Sequence, residues 1–73
     1  MYDYSKLRAK TIENGKTNAE VAVLAGMTAS TYSQKLTGKS QFTQDQIVSI
    51  ISVLNLTPQD IPAYFFAKEV QQN

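Results

Sequence analysis

The stretch that most constrains this chain is Thr17 to Lys39, TNAEVAVLAGMTASTYSQKLTGK. It predicts a short helix, a tight turn and a second short helix. Thr17 or Asn18 caps the first, the apolar residues Val21, Ala22 and Ala25 follow, and Gly26 breaks it. Thr28 caps the second, and Gly38 ends it. A Ser, Thr or Asn side chain at a helix start accepts an orphan backbone N–H, and glycine tolerates the left-handed conformation that stops a helix. Two helices of about eight residues joined by a turn of about three make a helix-turn-helix.

The flanks supply helices to pack against that pair. Asp3 or Ser5 caps a first helix running to about Glu13, with Tyr4, Leu7 and Ile12 as its apolar stripe and Asn14-Gly15 at its end. Phe42 stands before the cap Thr43, where it can fold back on Ile47. Ile47, Ile50, Ile51 and Leu54 then recur at helical spacing, and Val48 and Val53 widen the stripe until this helix should be the buried centre. Asn55 stands where a left-handed terminating residue is expected. Thr57-Pro58-Gln59-Asp60 has the order of a helix start, and Pro62 interrupts it, so one turn at 58–61 and a new short piece from Pro62 are expected. Tyr64, Phe65, Phe66 and Val70 follow no clear period. Residues 63–70 therefore fit helix or strand, with fraying expected over Gln71–Asn73. The expected core is Leu7, Ile12, Val21, Ala22, Ala25, Tyr32, Leu36, Phe42, Ile47, Ile50, Ile51, Leu54 and Leu56.

Composition removes whole classes of function. With 73 residues the chain makes one small all-α domain, and with no cysteine and no histidine it has no disulfide framework, thiol nucleophile or ordinary zinc site. No cofactor and no metal are expected. The hydroxyls of Thr28, Ser30, Thr31 and Ser33 have no base to activate them, and Asp45 and Asp60 sit at helix starts, where the dipole stabilises acids without any catalytic role. The chain is not expected to be an enzyme. No apolar run approaches the roughly 20 residues that span a bilayer, and MYDYSKLRAK lacks a signal peptide's apolar core. A cytoplasmic protein without a membrane partner is expected.

Net charge is only +1, but it is unevenly spread. Residues 1–39 set Lys6, Arg8, Lys10, Lys16, Lys35 and Lys39 against Asp3, Glu13 and Glu20, a balance of +3. Residues 40–73 set Lys68 against Asp45, Asp60 and Glu69, a balance of −2. The basic half is the half with the helix-turn-helix.

In order and spacing, AEVAVLAGMTASTYSQKLTGK, the apolar helix and VLNLTPQDI resemble the small Cro/CI-type helix-turn-helix proteins of temperate phages, over roughly residues 4–61. The opening YDYSKLRAK and the ending IPAYFFAKEV are similar to short phage proteins of Gram-positive hosts. The resemblance implies a compact five-helix, lambda-repressor-like domain: one domain over 1–73, a helix-turn-helix unit at about 17–38 and a C-terminal tail at about 62–73. It also implies that the second helix of the pair enters the DNA major groove with its N-terminal residues at base edges. The corresponding positions are Thr28, Ala29, Ser30, Thr31, Ser33 and Gln34. Asn18, Lys35, Lys39 and the backbone around Gly38 fall at phosphate-binding positions. Such proteins usually work as dimers, so the resemblance also implies a homodimer, with the Tyr64–Val70 tail as its candidate surface.

Three departures bear on the target. The groove-facing surface carries no arginine, although arginine to guanine is the commonest specific contact. An arginine–glutamate pair frequent in the family is replaced by Thr11 and Leu36, which leaves no unpaired buried charge. Most telling, Val23 points almost opposite the core face of its helix and Leu24 lies on its flank, where the family has polar residues. Two functions follow as expectations. One is a regulator of a lysis/lysogeny-like switch that binds operator DNA. The alternative is an antirepressor or modulator of repression that binds a CI-type phage repressor through the helix-turn-helix surface, with Val23 and Leu24 in the interface.

Overall fold

The computed structural model describes residues 2–69. The elements are α1 (Ser5–Glu13), α2 (Asn18–Leu24), α3 (Ala29–Leu36), α4 (Gln44–Val53), a 3₁₀ turn (Pro58–Asp60) and α5 (Ile61–Phe65). The all-α, five-helix expectation holds. The break near Pro62 falls one residue earlier than expected, because Pro62 sits inside the first turn of α5, where its missing N–H is harmless.

The helix starts follow the capping grammar closely. Thr17 and Glu20 cap each other: Thr17 Oγ1 accepts the Glu20 N–H over 3.2 Å, and Glu20 Oε1 accepts the Thr17 N–H over 3.0 Å. Thr43 and Gln46 repeat this at α4, over 3.1 and 3.0 Å. At α1 the work falls to Asp3, whose Oδ1 accepts from both the backbone N–H and the hydroxyl of Ser5.

The ends of α1 to α4 share one device. After α2, the Gly26 N–H bonds Val23 O over 3.0 Å and the Met27 N–H bonds Ala22 O over 2.8 Å. That pair is a Schellman motif, which needs a residue of positive φ between the helix and the exit. Gly26 provides it at φ 80, and Asn55 does the same after α4 at φ 59. The chain thus leaves α2 in a fixed direction, and that direction sets α3 against it.

The core gathers Tyr4, Leu7, Val21, Ala22, Met27, Tyr32, Leu36, Ile47, Ile50, Ile51, Leu54 and Phe65. Ala25, Phe42 and Leu56 are half-buried and pack against it. Ile12 is a correction: it is 75% exposed. At 100° per residue it lies 140° round from Leu7, whereas Thr11 lies 40° round and takes the buried position. The Thr11 hydroxyl is satisfied there by donating to Leu7 O over 2.9 Å. Val48 is a second correction, 58% exposed; α4 keeps one open flank and is not buried all round.

Phe42 is central to an aromatic cluster. Its ring stands edge-on to Tyr4, Tyr32 and Phe65, at centroid distances of 5.4, 5.8 and 5.4 Å. Phe42 and Ile47 line one small crevice with Tyr4 and Phe65. This cluster draws α5 onto the body of the domain. Beyond α5 the chain turns extended, and Lys68 forms an antiparallel bridge with Tyr2. The tail is therefore helix first and extended bridge second. The expectations for Val70 and for Gln71–Asn73 lie outside the described residues.

Candidate functional site

Two adjoining faces of the α2–turn–α3 unit are open. The face of α3 is set by its phase. Tyr32, Lys35 and Leu36 turn inward, which leaves Ala29, Ser30, Ser33 and Gln34 exposed together on the opposite side. Thr37, one turn beyond Ser33 and absent from the sequence expectation, extends that face. Its hydroxyl donates to Ser33 O and Gln34 O, both at 3.1 Å.

The remaining DNA-facing candidates behave differently from one another. Thr28 is the N-cap: its Oγ1 accepts the Thr31 N–H over 3.1 Å and donates to Thr31 Oγ1 over 2.9 Å. Both hydroxyls are thus engaged in holding the start of α3, and Thr31 is half-buried. Asn18 is exposed at the first position of α2, and Lys39 is exposed just after the turn at Gly38. Lys35 is only 7% exposed, and its ammonium donates to Gln41 O over 2.7 Å. A phosphate contact from Lys35 requires giving up that bond. Asn18 and Lys39 remain the freely presented polar groups of the phosphate set.

The face of α2 is apolar. Val23 is 69% and Leu24 60% exposed, as their helical phase predicts, because Val21 and Ala22 take the inward side. Ala19 and Glu20 stand one turn earlier on the same face. The four residues line one shallow open hollow. The sequence reading found Val23 and Leu24 but not the two that complete the hollow. Their signal was present in the same periodicity, at four residues' remove.

The Tyr32 ring is buried, and its hydroxyl has no hydrogen-bond partner among the described residues. Burial pushes its phenol up to about 12, and the Arg8 guanidinium offsets only part of that. The Arg8 guanidinium reaches the Leu36 carbonyl at the end of α3 over 3.4 Å. Among the described residues no group of three acidic side chains is placed to hold a metal ion.

Over residues 1–68 the chain matches the model of a family described as "protein of unknown function (DUF739)". The chain belongs to this family. No curated protein matches it. Among solved structures it is similar to the solution structure of the modulator of repression (MOR) of the temperate bacteriophage TP901-1 from Lactococcus lactis. The two share 41% identity over 96% of this chain and 95% of that one, with a TM-score of 0.78. The similarity to a short phage regulator agrees with the resemblance read from the sequence. That neighbour is a modulator of repression.

Proposed function

We propose that this chain is a modulator of repression that acts by binding a phage repressor protein, using the outer face of its α2–turn–α3 unit. The observation that carries this is the 41% identity, over nearly the whole of both chains, with a modulator of repression. The location rests on α2. Val23 and Leu24 are two branched apolar side chains held in water, on a helix whose inward face is already filled by Val21 and Ala22. Exposed apolar groups that line one hollow favour contact with a protein. The neighbouring α3 face is polar but without charge, which suits the rim of such an interface. In this reading the protein binds and does not catalyse, and it works in the cytoplasm of the bacterial host, where a repressor meets its operator.

The competing reading is direct operator binding. It is supported by the exposure of Ser30, Ser33, Gln34, Asn18 and Lys39 on adjoining surfaces. It is weakened by the engagement of Lys35 with Gln41 and by the lack of arginine on α3. Gln34 would pair with adenine and Lys39 with phosphate.

One experiment separates them. The purified protein is mixed with the CI-type repressor of its phage and, separately, with operator DNA, and the complexes are weighed. Binding to the repressor that is lost in Val23→Asp and Leu24→Asp, with the helical fold intact, is expected. Undiminished repressor binding by both variants would sink the proposal. Salt-dependent binding to operator DNA, weakened by Lys39→Ala and relaxed in specificity by Gln34→Ala, would establish the competing reading instead.

A further inference from the structure

The hollow on α2 is apolar apart from one group. Ala19, Glu20, Val23 and Leu24 line it, and Glu20 is the one charged group among them. The Glu20 carboxylate is held in place, because its Oε1 accepts the Thr17 N–H over 3.0 Å while the Glu20 N–H bonds Thr17 Oγ1 over 3.2 Å. Its other oxygen makes no hydrogen bond among the described residues. No residue lining the hollow is cationic. The result is an apolar seat with one fixed, half-used carboxylate among its lining residues.

We propose that Glu20 selects the partner: the surface that docks on this hollow presents a lysine or arginine beside its apolar side chain, and the same charge keeps a second copy of this chain off the face. This deepens the proposed function and rests on it.

The argument is one of charge complementarity and order. An acid beside an apolar seat favours a partner that offers a cation at that point, and penalises one that does not. Capping fixes the Glu20 rotamer before any partner arrives, so little side-chain freedom is lost when the second oxygen accepts a hydrogen bond. A two-fold dimer through this face fails on the same ground. Its surface must complement itself, so each Glu20 would meet Ala19, Val23 and Leu24 of the other copy. Two carboxylates would lose water with no cation to receive them.

The test uses Glu20→Gln. Glutamine at this position keeps the capping box, so the charge goes and the helix start stays. Binding of the purified CI-type repressor to the wild-type chain, Glu20→Gln, Glu20→Lys and Val23→Asp is measured by calorimetry at low and high salt. Thermal melts check that each variant folds, and sedimentation checks self-association. The expected result is roughly three- to tenfold weaker binding by Glu20→Gln at low salt, with a flatter salt dependence. Glu20→Lys binds more weakly still, and the wild-type chain shows no dimer that Val23→Asp disperses. If Glu20→Gln binds with wild-type affinity and salt dependence while Val23→Asp has lost binding, the assignment of Glu20 is overturned and the proposed function stands. A wild-type dimer dispersed by Val23→Asp overturns the exclusion of a second copy. Wild-type binding by Val23→Asp overturns the proposed function, and this inference with it.

Discussion

The Lys35 ammonium donates to the Gln41 carbonyl over 2.7 Å, from a side chain that is almost wholly buried. This bond pins the loop after α3 to the helix it has just left. That loop carries Phe42 into the aromatic cluster with Tyr4, Tyr32 and Phe65. Lys35 is thereby a structural residue on a helix whose opposite side faces solvent.

Lys35→Met, which keeps the buried stem and removes the donor, is expected to lower stability by roughly 1.5–3 kcal/mol, the range for a hydrogen bond that involves a charged group. Urea denaturation followed by circular dichroism measures it. The loss should appear in the midpoint with the slope unchanged, since no large surface is newly exposed. A variant as stable as wild type would show that water replaces the Gln41 contact at no cost.

A second prediction concerns the helical phase of α1 and α4. Ile50 is fully buried and Ile12 is 75% exposed. Ile50→Ala is expected to cost about 2–5 kcal/mol, enough to unfold much of so small a domain. Ile12→Ala should change stability by no more than about 0.5 kcal/mol. Equal losses at the two positions would mean that α1 turns a different face to the core.

Much of this architecture was legible because it depends on local chemistry. Thr17, Thr28 and Thr43 announce helix starts, and Gly15, Gly26, Gly38 and Asn55 announce the ends, through constraints that act within six residues. What was illegible depends on which face each helix turns to the core and on where a side chain meets the backbone of a loop. Spacing alone allowed Ile12 into the core because five residues is close to a helical repeat, yet the 140° it adds puts the side chain in water. Thr11 was absent from the expected core, and it can be buried because its hydroxyl donates to Leu7 O. Lys35 read as a phosphate ligand because nothing in the sequence places Gln41 beside it. At the candidate site, Val23 and Leu24 were legible from phase. In the sequence Glu20 counted only as one charge in a balance, and its place beside Val23 and Leu24 follows from the phase of α2.

The turn between α2 and α3 gives a third prediction. Gly26 has φ 80, and a Cβ added there would meet nothing within 4 Å. Any cost of Gly26→Ala is therefore backbone strain and not collision. Left-handed backbone costs an L-residue about 1–2 kcal/mol, and that is the loss expected in a thermal or urea melt. Gly26→Asn should cost less, because asparagine tolerates this region, as Asn55 does after α4. If alanine and asparagine cost the same, the turn has relaxed to a different conformation, and the placement of α3 on α2 will have moved with it.

The last prediction is the shape of stability against pH. Asp3 and Asp60 both have carboxyls held below the usual range, Asp3 by its bonds from the Ser5 hydroxyl and N–H, and Asp60 by those from the Thr57 N–H and hydroxyl. A depressed carboxylate pKa means that the unfolded chain binds protons first. Its contribution is full above the unfolded value of about 4 and is lost as pH falls through the lower folded value. Tyr32 acts at the other end. Its phenol is raised to about 12 by burial, so folding resists ionisation that the unfolded chain accepts from about pH 10. Its contribution is full below pH 10 and is lost as pH rises toward 12. Burial also raises Tyr4, in the same direction. Urea midpoints measured from pH 3 to pH 11 should therefore form a plateau that falls at both ends. Tyr32→Phe should flatten the alkaline fall and leave only the part due to Tyr4. At neutral pH it should not destabilise the fold, because the hydroxyl it removes has no partner among the described residues. Asp60→Asn should reduce the acid fall and leave the alkaline side unchanged. An alkaline fall undiminished in Tyr32→Phe would place its origin in another tyrosine or in the lysines.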